Sequence, residues 1–239
     1  MISNLDDLKV KLFADGADQD QMLKMAEKPF IAGLTTNPTL MRKAGISNYE
    51  KFAKDILQKI RIKPISFEVF TDELSDMKVQ GEKIASWGEN VFVKIPVTNT
   101  RGETTSSVIS YLSSIGVKVN VTAVMSKMQV INIIDSLNPD VPSCISIFAG
   151  RIADTGIDPV PILRECLEIM KLKQKSELIW ASPRELLNII QADEIGCHII
   201  TATSDILAKT TLIGKDLSLY SLETVRMFND DANAAGYDI

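Results

Sequence analysis

Val91-Phe92-Val93-Lys94-Ile95-Pro96 is an apolar, β-prone run carrying one lysine and closed by a proline. It reads as a buried strand with a charge near its C-terminal end. Alternation along a strand puts Phe92 and Lys94 on one face and Val91, Val93 and Ile95 on the other. An amine held among apolar neighbours loses hydration, which favours its neutral, nucleophilic form. In that form it can attack a carbonyl and make a Schiff base. A strand-end lysine can equally reach water with its stem packed, as long cationic side chains usually do. The rest of the chain has to decide between the two.

Outward from this strand, short apolar runs alternate with longer helical patterns, which favours βα units and a parallel sheet. Eight runs read as strands: 11–15, 31–36, 65–69, 91–95, 117–122, 144–148, 178–182 and 198–201. Helical patterns lie between them, among others at 49–61, 72–87, 104–115, 127–137, 159–173 and 184–195. Asn48 or Ser47 can cap the first of these, and Asp158 before Pro159 is a good start for the fifth. Gly88, Gly116 and Gly196 follow helices, where a left-handed residue is often needed. Eight βα units in about 200 residues predict an α/β fold, a single (β/α)8 TIM barrel. The barrel is expected over about 9–210 of one domain covering 1–239, with an extra C-terminal helix at about 218–236. Leu219, Leu222, Val225 and Phe228 give that helix an apolar stripe. The stripe packs either on its own barrel or on a neighbouring subunit.

Composition excludes several classes. The 239 residues are 45% hydrophobic and 24% charged, as in ordinary globular proteins. A net charge of −5 with scattered cations argues against a nucleic-acid surface. No apolar run is long enough to span a bilayer, and the start of the chain is polar and acidic rather than signal-like. Cys144, Cys166 and Cys197 show neither paired nor metal-like spacing, and read as reduced core residues of a cytoplasmic protein. The lone histidine, His198, reads as a filler or rim group; without partners it makes no metal site.

Inward residues at the C-terminal strand ends line the active site of such a barrel. Here seven successive strands carry polar residues at or near those ends. Asp15 closes the first; Gly33, Thr35 and Asn37 share a face at the second; Ser66 and Glu68 follow on the third, and Lys94 on the fourth. Asn120 and Thr122 share a face on the fifth; Ser146 and Phe148 share one on the sixth; Ser182 ends the seventh. One polar end can be explained by a loop hydrogen bond, but seven cannot. After the sixth and seventh strands come Arg151 and Arg184. Two guanidinium groups, the Ser182 hydroxyl and the helix start near Arg184 can together hold a phosphate. Alternatively, each arginine pairs with a surface carboxylate such as Asp154 or Glu185.

The segments Lys11-Leu-Phe-Ala-Asp15-Gly-Ala-Asp18, Gly33-Leu-Thr-Thr-Asn-Pro-Thr-Leu40, Ser66-Phe-Glu-Val69, Phe92-Val-Lys-Ile-Pro96, Asn120-Val-Thr122, Ser146-Ile-Phe-Ala-Gly-Arg151 and Ala181-Ser-Pro-Arg184 resemble the transaldolase family in order and spacing. The length is nearer its short branch, which includes fructose-6-phosphate aldolase. The resemblance implies a class I aldol mechanism with no cofactor and no metal. In it, Lys94 forms the Schiff base and Asp15 is the acid/base group at the C4 hydroxyl. Glu68 and Thr122 position a catalytic water. Thr35, Asn37, Asn120, Ser146 and Phe148 line the sugar site, and Arg151, Ser182 and Arg184 take the phosphate. It further implies sugar-phosphate substrates and a homo-oligomer of five or ten subunits. The aldolase branch tends to have glutamine in place of Glu68 and tyrosine in place of Phe148, so both positions point to transfer of the dihydroxyacetone unit.

Two alternatives stay open: a related aldolase with another donor or acceptor, and a noncatalytic barrel that binds sugar phosphates. Three positions depart from the family pattern. Gly16 replaces a common threonine, and Pro183 stands where an aromatic residue is common. Trp180, by alternation with Ser182, either faces the pocket and narrows it or packs under the helices.

Overall fold

A computed structural model describes residue 2 and residues 4–238. The strands are β1 (Lys11–Asp15), β2 (Ile31–Thr35), β3 (Ile65–Glu68), β4 (Val91–Pro96), β5 (Val119–Val124), β6 (Ser143–Ile147), β7 (Ser176–Trp180) and β8 (Ile199–Ala202). Each predicted strand is present, displaced by at most two residues at either end. Their order is sequential, all pairings are parallel, and β8 returns to β1 to close the barrel.

The helices are α1 (Gln19–Glu27), α2 (Pro38–Lys43), α3 (Tyr49–Lys59), α4 (Leu74–Ala85), α5 (Ser106–Ser114), α6 (Lys127–Ser136), α7 (Ala149–Asp154), α8 (Pro159–Met170), α9 (Leu187–Glu194), α10 (Ser204–Ala208) and α11 (Leu217–Ala235). Their starts follow capping chemistry. The Asn48 side chain accepts from Lys51 N at the start of α3, and Asp158 accepts from Val160 N ahead of Pro159 in α8. Gly116 and Gly196 adopt φ of 86° and 74°, as expected of residues closing a helix. Gly88 does not have a positive φ, because α4 ends at Ala85 and Gly88 sits in a further turn, its carbonyl accepting from Val91 N.

Two apolar layers build the fold. The larger lies between barrel and helices, and includes Ile31, Phe67, Val93, Val121 and Ile145. The smaller fills the barrel itself: Phe13, Cys144, Ile179 and Ile199, with Ala32 and Phe92 against them. Gly33 is required by this plug, since a Cβ there would lie 2.4 Å from the Phe13 ring.

Register settles the orientation of Trp180. Ser146 pairs with Ile179, and Ile147 pairs with Trp180. Ile179 therefore points into the barrel with Phe13, while Trp180 packs outside it with the helix-facing core. Alternation fails between Trp180 and Ser182 because the strand has already ended and Ser182 has φ 61°. Trp180 does not narrow the pocket.

α11 stands apart. It contains no buried residue, and Leu217, Val225 and Phe228 are among its exposed side chains. Its apolar stripe is not used on its own barrel. Among the described residues, no helix is long and apolar enough to cross a membrane.

Candidate active site

A cavity of about 670 Å³ opens at the C-terminal ends of the strands. Its lining includes Asp15, Thr35, Asn37, Glu68, Lys94 and Thr122, on or just past the first five strands. Ser146, Phe148, Arg151, Ser182 and Arg184 complete the far side. Of the residues expected to be catalytic or substrate-binding, Asn120 alone is not on its wall; it is fully buried behind Ser146.

Strand register brings the central group together. Glu68 pairs with Lys94, Lys94 with Asn120, and Pro96 with Thr122. Lys94 is only 6% exposed, so its stem does not carry the amine out to bulk water. The Nζ donates to the Thr36 carbonyl at 3.1 Å and lies 3.5 Å from Glu68 Oε2. Tyr49 Oη donates to the Glu68 carbonyl at 2.9 Å and steadies the end of β3.

Asp15 accepts from Thr35 Oγ1 at 2.8 Å, and Asn37 Nδ2 approaches its other oxygen at 3.4 Å. The Thr35 hydroxyl also meets that of Thr201. Asn37 caps α2 as well: its Oδ1 accepts from Leu40 N at 3.0 Å, with Pro38 following. That cap fixes the carboxamide, turning Nδ2 toward Asp15. The Asn-Pro pair is thus both a helix start and part of the cavity wall.

Burial governs both carboxylates. It pushes Asp15 above its ordinary value, opposed by the Lys94 charge and by the bonds from Thr35 and Asn37. It pushes Glu68 up as well, against the Lys94 charge and hydrogen bond, and the Asp15 charge adds to the rise. The lysine pulls both toward ionisation, but burial is the larger effect on each.

Thr122 is buried, and its Oγ1 has no hydrogen-bond partner among the described residues. It precedes Ala123, which has φ 61°, where the β5–β6 register slips. Ala123 and Ser182 are the non-glycine residues with positive φ among those described, and both line the cavity. Such conformations persist where surrounding structure enforces them, often at functional sites. Behind the wall, Ser146 Oγ donates to Asn120 Oδ1 at 2.7 Å, and Asn120 Nδ2 donates to Ser66 Oγ at 2.9 Å.

At the far end, both arginines line the cavity, and the expected carboxylate pairing is present for Arg184, with Asp154. Arg151 lies 5.9 Å from the Phe148 ring centroid. The helix start expected near Arg184 is not available there. α9 begins at Leu187, and the amides of Arg184 and Glu185 are taken by Asn188 Oδ1. His198 lies away from the cavity, where its Nδ1 accepts from Leu178 N at 3.0 Å.

The sequence reading missed Lys43, Thr201 and Asp205, which also line the cavity. Thr201 was legible: it shares a face with Ile199 at the end of the last strand. Lys43 and Asp205 sit on helices beyond strand ends and carry no local signal.

The family described as Transaldolase/Fructose-6-phosphate aldolase matches this chain over residues 12–239. A "Probable transaldolase" of Sulfurihydrogenibium sp. (strain YO3AOP1) is 34% identical over 202 residues, covering 84% of this chain and 88% of that protein. A "Probable transaldolase" of Nitrosopumilus maritimus (strain SCM1) is 31% identical over 229 residues, covering 93% and 99%. A crystal structure from Coccidioides immitis, described as a dihydrodipicolinate synthase family protein, superposes with a TM-score of 0.62 at 12% identity. It covers 91% of this chain and 74% of that one, a likeness of fold alone.

Proposed function

The chain belongs to the transaldolase and fructose-6-phosphate aldolase family, and from that premise we propose that it is a transaldolase working through a Schiff base on Lys94. It takes a dihydroxyacetone unit from a ketose phosphate, fructose 6-phosphate or sedoheptulose 7-phosphate, and gives it to an aldose phosphate, as in the pentose phosphate pathway. The observation that carries this reading is a nearly buried amine 3.5 Å from a carboxylate, in one cavity with a second carboxylate.

The Lys94 nitrogen attacks C2 of the ketose; water leaves, and a protonated imine remains. Asp15 removes the proton of the C4 hydroxyl, the C3–C4 bond breaks, and its electrons move into the imine to give an enamine. The aldose phosphate departs. An acceptor aldehyde then takes the enamine carbon, its oxygen gains the proton from Asp15, and water hydrolyses the imine. Glu68 and Thr122 hold the water that moves protons in imine formation and loss; the unpartnered Thr122 hydroxyl supports this. Thr35 orients Asp15. Asn37 and Ser146 hold the dihydroxyacetone hydroxyls, with Asn120 fixing the Ser146 hydroxyl from behind. Arg151, Ser182 and Arg184 hold the phosphate.

Borohydride reduction in the presence of fructose 6-phosphate tests this. A covalent adduct on Lys94 is expected, and an unmodified chain would leave only a sugar-phosphate-binding barrel. The aldolase reading is separated by the fate of the enamine. Phe148 offers no hydroxyl to place water for protonation, so transfer outruns release. Phe148→Tyr is expected to raise dihydroxyacetone release relative to transfer several-fold, measured with and without erythrose 4-phosphate. If the parent already releases dihydroxyacetone as fast as it transfers it, the aldolase assignment replaces this one.

The unused apolar stripe of α11 supports a homo-oligomer, with the helix packed on a neighbouring copy. A monomeric mass in sedimentation velocity would rule that out.

A further inference from the structure

The geometry points to Asp154 as the positioning residue of the anion end, acting through Arg184; this rests on Arg151, Ser182 and Arg184 being the phosphate-binding group. Asp154 closes α7, after β6, and Arg184 follows β7. Arg184 Nε donates to Asp154 Oδ1 at 2.9 Å, and Nη2 donates to Oδ2. The two-point contact fixes the guanidinium plane, which a single contact would leave free to turn. Nη1 donates to Ser182 Oγ at 2.9 Å.

The side on which each group lies decides the role. Arg184 and Ser182 line the cavity, and Asp154 does not. The carboxylate therefore stands behind the guanidinium. A guanidinium has five N–H donors. Three are engaged here, and the two that remain, one on each Nη, have no partner among the described residues and can meet an incoming anion. Arg184 also holds the Asp154 carboxyl below its ordinary range, so the support stays ionised at neutral pH.

The backbone under this pair is set as closely. A Cβ at Gly150 would lie 1.6 Å from the Ser182 carbonyl oxygen and 3.3 Å from Arg184 Cζ. Only glycine lets α7 approach the 182–184 loop this far. Asn188 Oδ1 takes the Arg184 and Glu185 amides from the other side. What stays adjustable is the long arginine side chain, and Asp154 orders it before a ligand arrives. Ordering in advance removes that cost from binding.

Titration of the full chain with inorganic phosphate by calorimetry tests this. Asp154→Asn removes one negative charge beside the site, so Coulomb attraction alone would tighten phosphate binding. Positioning predicts the opposite sign: affinity falls about tenfold, or ~1.4 kcal/mol. Asp154→Glu should recover part of the loss. Arg184→Gln should lose at least as much as Asp154→Asn, and the double variant no more than Arg184→Gln, as for two residues acting as one unit. With fructose 6-phosphate as donor, the Asp154→Asn loss should fall on KM rather than kcat. Unchanged or tighter phosphate binding, a double variant weaker than Arg184→Gln alone, or a parent that binds no phosphate would each overturn the inference. A parent that binds phosphate but is not trapped by borohydride overturns the transaldolase reading and leaves the Asp154 role standing. Both side chains of the pair are solvent-exposed, where ion pairs contribute little to stability, so the variants should fold.

Discussion

Lys94→Ala should end borohydride labelling with fructose 6-phosphate and lower turnover by about 10⁴-fold or more, as loss of a covalent catalyst does. The amine is the only group in the proposed mechanism that can accept the electrons of the breaking C3–C4 bond. Mass spectrometry of the reduced protein and steady-state transfer rates check the two halves separately. The substitution also leaves the Glu68 carboxylate without the charge 3.5 Å away. Lys94→Met, which fills the same space, therefore serves as the folding control, and both variants should share the inactivity. Another amine provides the decisive alternative. Lys43 lines the same cavity. If labelling survives in Lys94→Ala and maps to Lys43, the buried strand lysine is structural and the chemistry belongs to the rim.

Much of this site was legible because its residues obey strand alternation. Glu68, Lys94, Asn120 and Thr122 lie where a period of two puts them, and parallel register sets them side by side. The barrel follows from the same runs, since eight βα repeats leave few other closed arrangements. Alternation misled where the chain had left the strand. Trp180 and Ser182 are two residues apart, yet the left-handed turn at Ser182 sends them to opposite sides. The slip at Ala123 is equally silent, because alanine gives no warning of a positive φ. Asn120 was placed on the right face but at the wrong depth; alternation gives direction, not distance from the mouth. The charge balance of Asp15 and Glu68 could not be read either. A sequence shows that a lysine is near, but not that burial outweighs it. Asp154 was named as a carboxylate that an arginine could pair with, but its two-point contact with Arg184, across 30 residues, shows only in the folded chain.

Asp15→Asn should cost activity and add stability, and the pair of effects is diagnostic. An acid/base group at the reacting hydroxyl contributes about 10²–10⁴-fold, so kcat for transfer should fall by that order. Lys94 is untouched, so the variant should still be labelled by borohydride: imine formation does not need the C4 proton moved. The stability gain comes from burial. The folded Asp15 titrates above its ordinary value of 3.8, with desolvation as the largest cause. Between the two values the native state binds the proton and the unfolded chain does not. The stability associated with that proton is therefore complete below 3.8 and is lost as pH rises through the folded value. Above the folded value the parent holds a carboxylate where a neutral group would sit more comfortably, and asparagine supplies one. Thr35 can still donate to the amide oxygen, and the contact given up to Asn37 is the longer one, 3.4 Å. Each ~1 kcal/mol recovered raises Tm by about 2–4 °C in a chain of this size. Melting curves across pH should show a Tm difference that grows in the variant's favour as pH rises through the parent's folded value and shrinks as the parent's carboxyl becomes protonated. A variant that melts lower at every pH would mean that the Lys94 charge, rather than burial, dominates at Asp15. The carboxylate would then be a structural counter-ion, and the base for C–C cleavage would have to be sought elsewhere in the cavity.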